Sequence, residues 1–515
     1  MTPSRPQKPN IVFLFSDQHN AKVLGHAGHP DVKTPHLDRL AREGVRFTNA
    51  ITQNPICTPS RLSFLSGQYA HNHGYYGLSG PNPGGLPCVL GHFRDAGYRT
   101  SAVGKIHCPE YWVEDAVDHF HETADCSVGG RSKKYEAFLE SRGKSGLEDH
   151  GSLPEFGKRG GQSMEGRVSP LAFDESQEGW IASETIDFMQ KANEEGKPFF
   201  AFASFPRPHQ CTAPSEPFWS MYAGKELTLP PNADYDLAAA GKAPHMQRSA
   251  AQWRKGEWAL IEPKTFEAAR ARKLQGYLAA ISQTDHAVGL ILDWLDKQGL
   301  AENTIVIYST DHGDYACEHG IMEKAPGICS DAITRIPFLW RWKGQIPAGQ
   351  TAPELVETVD VANTLCKLAG LEPLETVDGV SLDGLLMGQR GEVRTIAVTE
   401  FAWSKSVRRG KYRFVYYPKA MFPAEYPEGF GELYDLEQDP YEMKNLYFDP
   451  SLKSVVDSMK SDLMDWIVTT TRNKSVWPAR YSHPTQSNER YKIEVNADGH
   501  QPWRATFQNA GGNYT

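Results

Sequence analysis

Short, almost unbroken apolar runs recur along the chain, and each ends in a polar or charged cluster. Asn10 to Phe15 reads NIVFLF and leads into Ser16-Asp17-Gln18. Tyr98 to Val103 reads YRTSAV and leads into Gly104-Lys105-Ile106-His107. Phe199 to Phe205 (FFAFASF) is followed by Pro206-Arg207-Pro208-His209, and Thr304 to Thr310 (TIVIYST) by Asp311-His312-Gly313-Asp314. Runs of this length without alternation predict strands buried on both faces, as in a parallel sheet. Helical periodicity lies between them. It covers Leu37 to Glu43, and Leu274, Tyr277, Leu278, Ile281, Val288, Ile291, Leu292 and Leu295 form a long stripe before the fourth strand. Alternating β and α units predict an α/β fold with a large, central, mostly parallel sheet flanked by helices. Ligands of such sheets bind beyond the carboxyl ends of the strands. All four polar clusters fall there, so one shared site is expected.

The pattern changes from about residue 391. Thr395 to Phe401 and Lys411 to Tyr417 read as strands, Gly431 to Leu436 as another, and Leu452 to Val468 as an amphipathic helix. The expected division is therefore 1–390, an α/β catalytic domain, and 391–515, a smaller α+β subdomain. The stretches 121–180 and 211–265, rich in Gly, Pro and polar groups, read as insertions that shape a pocket. Arg131, Lys133, Lys134 and Arg159 lie in the first and would face an acidic substrate or simply solvent. After Thr471 the chain is polar with Trp477, Tyr481, Tyr491 and Trp503. These aromatics suit docking, either on a neighbouring subunit in a homo-oligomer or on the chain itself.

Charge narrows the function. The 515 residues carry a formal net charge of −9, which argues against a nucleic-acid partner, since that needs a basic face. The apolar run Ile11 to Phe15 is too short for a secretory leader, and no segment is long enough to span a membrane, so a cytoplasmic protein is expected. The 8 cysteines show no CxxC spacing, which speaks against a disulfide framework and a zinc site.

One cysteine stands apart. In Cys57-Thr58-Pro59-Ser60-Arg61-Leu62-Ser63-Phe64-Leu65-Ser66-Gly67, Pro59 suits the first turn of a helix. Cys57 would then sit at the positive helix end, where a thiolate or anionic adduct is favoured, with Arg61 one turn on. This segment resembles the signature of the type I sulfatase family (alkaline phosphatase superfamily), Cys-x-Pro-Ser-Arg followed by a Leu-Ser/Thr-Gly element. Gly97-Tyr98-x-Thr100-x-x-Val103-Gly104-Lys105, with His107 following, resembles the family's second signature. Ile106 departs from it where an aromatic is usual. The wider resemblance spans roughly residues 8–450.

The resemblance implies that Cys57 is oxidised to formylglycine by a formylglycine-generating enzyme. Its hydrated form would be the nucleophile. Carboxylate and amide oxygens at Asp17, Gln18 and Asp311 suit a hard cation, and an imidazole widens the choice. By similarity Asp17, Gln18, Asp311 and His312 hold one divalent metal, Ca2+ first and Mn2+ second. Lys105, His107, His209 and Lys324 match family positions around the ester. Arg61, Lys105 and Lys324 would neutralise the transferring group, His209 would protonate the leaving oxygen, and His107 would deprotonate the second hydroxyl of position 57. His73 matches a family histidine, while His19, His26, His29 and His36 are expected to be structural or to support the metal ligands.

The implied activity is hydrolysis of small-molecule sulfate esters. Many sulfatases have Asp where this chain has Gln18 and Asn where it has His312. The Asp-Gln and Asp-His pairs also resemble phosphonate monoester hydrolases. Less anionic ligands leave the metal more electropositive, which suits a phosphonate or phosphodiester, so that class is the alternative. A non-catalytic anion-binding protein on this fold would be expected to lack Cys57, Arg61 or a metal ligand, and all are present.

Overall fold

The computed structural model describes residues 8–78, 80, 84–123, 133–145, 147, 164–324 and 328–472. An eight-stranded sheet runs β4-β3-β5-β1-β6-β7-β2-β8. Its strands are β1 (Asn10–Asp17), β2 (Val45–Ile51), β3 (Arg99–Gly104), β4 (His119–Glu122), β5 (Phe199–Pro208), β6 (Thr304–Thr310), β7 (Phe338–Arg341) and β8 (Gln350–Glu357). β1 sits centrally, parallel to β5 on one side and β6 on the other. β3 joins β5 in parallel, and β4 forms the parallel edge beyond it. Only β7 runs against its neighbours β6 and β2 in this sheet. The four apolar runs thus form four parallel strands, and their polar ends lie on one edge.

Both sheet faces are covered, which explains the lack of alternation in the runs. From β1, Ile11, Phe13 and Phe15 enter one core, and Val12 and Leu14 enter the other. Helices α1 (Pro35–Glu43), α2 (Cys57–Ser66), α3 (Gln177–Glu194) and α4 (Phe266–Lys297) follow in chain order. Pro35 starts α1, and the side chains of Ser176 and Thr265 cap α3 and α4 by accepting from Gly179 and Ala268. Helix α2 is anchored by Phe64, whose ring meets Phe15 edge-on at 4.9 Å. Such pairs add about 0.5–1.5 kcal/mol beyond area burial. That contact fixes the roll of α2 and turns Cys57 and Arg61 to the strand ends.

The C-terminal sheet is antiparallel, in order β12-β11-β10-β9. It comprises β9 (Ala397–Glu400), β10 (Lys405–Arg409), β11 (Tyr412–Tyr416) and β12 (Gly431–Asp435). Helix α5 (Lys453–Thr470) buries Val456, Met459, Leu463 and Trp466 against it. Glu400 ties this unit to the chain around Cys57. It accepts from the backbone and the ring of His71, both at 2.9 Å, and from Tyr76 Oη and Lys405 Nζ, both at 3.1 Å.

The stretch 121–180 holds regular elements among its described residues. Its start completes β4, Lys133–Ser141 is helical, and α3 begins at Gln177. The stretch 211–265 contains the helix Pro244–Arg254. Lys133 and Lys134 are exposed. Arg131, Arg159 and the tail aromatics lie outside the described residues. Among the described residues no helix is long and apolar enough to cross a membrane.

Gly104 is required by close approach. It has φ 105°, and a Cβ there would lie 1.9 Å from the Ser204 carbonyl oxygen on β5. Gly104→Ala is expected to lower stability by about 2–3 kcal/mol through strain and displacement of β5. An unchanged midpoint in thermal unfolding would contradict this. Glu400 supplies an acid-side test. Burial opposes its charged form, but the His71 hydrogen bonds and Lys405 bring its pKa down to about 2 from 4.5. A depressed carboxylate stabilises above its unfolded value and loses that stabilisation as pH falls through the folded one. Wild type should therefore lose stability between about pH 4.5 and 2, and Glu400→Gln should lose less over that window in acid titrations followed by circular dichroism.

Candidate active site

Asp17 closes β1 and Asp311 follows β6, on adjacent strands with Ser16 opposite Thr310. Both carboxylates are fully buried, and the Arg61 guanidinium bridges them. Its Nη2 lies 3.0 Å from Asp17 Oδ2 and its Nε 2.9 Å from Asp311 Oδ2. Nη1 donates to the Lys105 carbonyl at 2.6 Å and to Ser204 Oγ at 2.9 Å. The fork shape of guanidinium allows this, which an ammonium could not reproduce. Lys105 Nζ reaches Asp17 Oδ2 at 2.6 Å. Burial disfavours the Asp17 anion, yet Lys105, His209, Arg61 and Lys324 hold its pKa well below the usual carboxylate range. Asp311 Oδ1 accepts from the backbone N–H of Gln18 at 3.1 Å and of His312 at 2.9 Å.

Cys57 begins α2, as the Pro59 argument predicts, and it is 1% exposed. Three groups meet its Sγ: Lys324 Nζ at 2.9 Å, His312 Nε2 at 3.2 Å and Asp17 Oδ1 at 3.9 Å. Burial and the Asp17 charge both raise a thiol pKa, but Lys324 and His312 outweigh them and bring Cys57 down to about 5. Lys324 is itself raised above its usual value, against burial, by Cys57, Asp17 and Glu323. It also lies 3.4 Å from His209 Nε2 and 3.2 Å from His312 Nε2. The position thus attracts and holds an anion.

The donor set fits a divalent cation. One atom each of Asp17, Cys57, Asp311 and His312 lies within 4.8 Å of the others. His312 Nδ1 donates to the Gly313 carbonyl at 2.9 Å, which fixes the ring and turns Nε2 to Cys57 and Lys324. Such a fixed ring is usual for a metal-ligating histidine. Gln18 has φ 67°, and its amide nitrogen donates to Asp314 and Gln210. Its Oε1 is buried with no hydrogen-bond partner among the described residues. A buried carbonyl oxygen left without a donor, on the residue after Asp17, is the kind of atom a cation would satisfy.

Of the predicted site residues, Asp17, Gln18, Cys57, Arg61, Lys105, His209, Asp311, His312 and Lys324 are joined by these contacts or by backbone hydrogen bonds. His209 donates its N–H to the Asp17 carbonyl at 3.1 Å and its Nδ1–H to the Gln210 carbonyl at 2.7 Å, which leaves Nε2 facing Lys324. His107 stands two residues beyond Lys105, and its backbone donates to Glu122 at 3.2 Å. His73 is occupied structurally, at 3.1 Å from Ser63 Oγ through Nε2 and accepting from the Tyr75 N–H at 3.1 Å through Nδ1. His19 packs between Tyr308 Oη and the Val23 carbonyl, and His26 pairs with Asp38. Sequence reasoning missed the groups that aim Gln18. These are Asp314, Gln210, Glu323, which accepts from Gln210 at 2.8 Å, and Tyr277, which donates to the Gln18 carbonyl at 2.9 Å. Asp314 ends the polar cluster after the fourth apolar run and Glu323 precedes Lys324, but nothing in their spacing shows which way they point.

A buried cysteine beside paired aspartates, a histidine and convergent cations is an arrangement suited to an ester hydrolase. The sulfatase family model matches residues 9–371, and the chain belongs to that family. A model for the C-terminal region of N-sulphoglucosamine sulphohydrolase matches 317–469. An ulvan-active sulfatase of Formosa agariphila is 28% identical, covering 89% of this chain and 81% of its own. An arylsulfatase of Clostridium perfringens is also 28% identical, covering 89% and 94%. The structure of phosphonate monoester hydrolase SpPMH from Silicibacter pomeroyi superposes with a TM-score of 0.75 at 20% identity, covering 90% and 96%.

Arg61→Lys keeps the charge but cannot bridge two carboxylates, the Lys105 carbonyl and the Ser204 hydroxyl together. Metal affinity or turnover is expected to fall about 10–100-fold. Calorimetric metal titration and steady-state rates would read this, and wild-type values in both would refute the bridging role.

Proposed function

We propose that the protein is a sulfuric ester hydrolase that cleaves small-molecule sulfate esters with a formylglycine made from Cys57 and one divalent ion. The carrying observation is the placement of Cys57 Sγ among the ligand atoms of Asp17, Asp311 and His312, with Lys324 Nζ at 2.9 Å. That sulfur stands where the reacting oxygen of the modified residue would be. Asp17, Gln18, Asp311 and His312 would hold the ion, Ca2+ first and Mn2+ second. When bound, it would polarise the ester and favour deprotonation of a hydroxyl at position 57. A hydrated aldehyde supplies a nucleophilic hydroxyl and a second one whose deprotonation frees the product anion.

The other steps belong to the chain's own groups. Arg61, Lys105 and Lys324 balance charge on the transferring group; preorganised stabilisation of this kind is usually the largest catalytic contribution. Arg61 and Lys105 act through the Asp17 carboxylate they neutralise, and Lys324 acts at the reacting atom. With Nδ1–H held by the Gln210 carbonyl, His209 would serve as the acid only as an imidazolium, giving its Nε2 proton to the leaving oxygen and ending as the neutral Nδ1–H ring. His107 takes the proton of the second hydroxyl. A formylglycine-generating enzyme is the implied maturation partner.

A second reading rests on Gln18 and His312. They leave the ion with two carboxylates rather than more, and so more attractive to a phosphonate monoester or phosphodiester. The likeness to SpPMH supports that class at the level of the fold. Aryl sulfate and aryl phosphonate monoester, compared by kcat/KM on metal-replete enzyme, separate the two. A sulfate preference is expected; a phosphonate preference would replace the first reading with the second. Cys57→Ala and protein without aldehyde at position 57, verified by peptide mass spectrometry, should both retain under about one thousandth of the activity. Full turnover by either would remove formylglycine from the mechanism.

A further inference from the structure

At the outer edge of the large sheet, away from Cys57, a second set of donors converges. His119 and His121 alternate on β4 and so project to the same face. Opposite them, α3 carries Trp180, Glu184 and Phe188 at four-residue spacing, which places all three on one helix face. Glu184 Oε2 lies 2.6 Å from His121 Nδ1 and 3.9 Å from His119 Nε2. The aromatic neighbours hold the imidazoles in place. Trp180 stacks on His121 with centroids 6.1 Å apart and planes at 23°, and Phe188 lies 5.6 Å from His119.

We propose that His119, His121 and Glu184 form a second divalent-metal site, for a borderline ion such as Zn2+, distinct from the one at Asp17 and Asp311. A hydrogen bond between His121 and Glu184 accounts for one ring nitrogen. It leaves His119 Nε2 unexplained, for that atom is buried and has no hydrogen-bond partner among the described residues. The two imidazole centroids lie only 3.9 Å apart. Bonds of about 2.0–2.2 Å to a common ion bring three donors to mutual distances of about 3–4 Å, and these three atoms lie within 4.8 Å of one another. Two imidazoles and one carboxylate favour Zn2+ and its neighbours over Ca2+, which takes oxygen ligands. His119 and Glu184 are partly open, with side chains 25% and 27% exposed, so water can complete the coordination.

The site would clamp β4 to α3. β4 ends at Glu122, which accepts from the backbone of His107, so the clamp steadies the loop that carries Lys105 and His107. This role is independent of the reaction at Cys57. The ion would be a positioning element, and its removal should loosen the edge strand before it affects the central site.

Zn2+ binding is tested by calorimetry and elemental analysis on full-length protein saturated with Ca2+, comparing wild type with His119→Ala and Glu184→Gln. Wild type should take up one Zn2+ more per chain than either variant, and Zn2+ should raise its melting temperature by a few degrees. Equal uptake by all three proteins would overturn the site. Wild-type crystals soaked in Zn2+ give a measurement that does not depend on a variant folding. Anomalous density between His119, His121 and Glu184 is expected, and its absence at Zn2+ saturation would equally refute the proposal.

Discussion

The Arg61 bridge is the contact on which the rest of the centre depends. Two carboxylates side by side in a buried sheet edge repel each other and lose their hydration. A single guanidinium satisfies one oxygen of each and donates on to the Lys105 carbonyl and Ser204. It thereby joins the ends of β1, β3, β5 and β6 through one side chain. Asp17 Oδ1 stays on the Cys57 side, 3.9 Å from its sulfur, and is not taken up by the guanidinium. The bridge neutralises the aspartates without occupying the atoms that a cation would take.

Charge is distributed asymmetrically around position 57. Arg61 and Lys105 are bound to the aspartates, whereas Lys324 points at the sulfur. Lys324 follows Glu323, whose carboxyl is pushed up to about 7 by burial although Lys324 opposes that shift. Glu323 accepts from Gln210, whose Oε1 accepts from the Gln18 amide, so it is engaged with Gln210 as well as with Lys324. An anion entering beside Cys57 therefore meets an ammonium and two imidazoles, His209 and His312, with the carboxylates behind them.

Much of this arrangement was legible from the chain because parallel strands buried on both faces cannot alternate. The four apolar runs stand out for that reason, and the polar residue after each run has to lie at a strand end. Cys57 was legible through Pro59, which marks the first helical turn. The strand β7 was not, since four residues inside a longer apolar stretch carry no sign of direction. Nor was β4, whose HFHE is as polar as a loop and becomes a strand only through pairing with β3. Expecting an insertion from residue 121 cut across that strand, because composition cannot separate an edge strand from surface chain. The Gln18 network escaped for another reason. Asp314, Gln210 and Tyr277 come from three distant segments, and only tertiary packing decides that they converge. His73 matched a family position, yet its ring is consumed by Ser63 and Tyr75.

The pairing of β1 with β6 also sets a timetable. Asp17 emerges from the ribosome long before Asp311, and at roughly 5–20 residues per second the intervening chain takes about 15–60 s to make. During that interval β1 has neither its β6 partner nor the second carboxylate, and Cys57 at the start of α2 lacks His312 and Lys324. A nascent chain can therefore carry the cysteine for tens of seconds with no assembled centre around it. The catalytic constellation comes into being only when the last central strand closes the sheet, so the capacity to hydrolyse an ester and the completion of the fold arrive together.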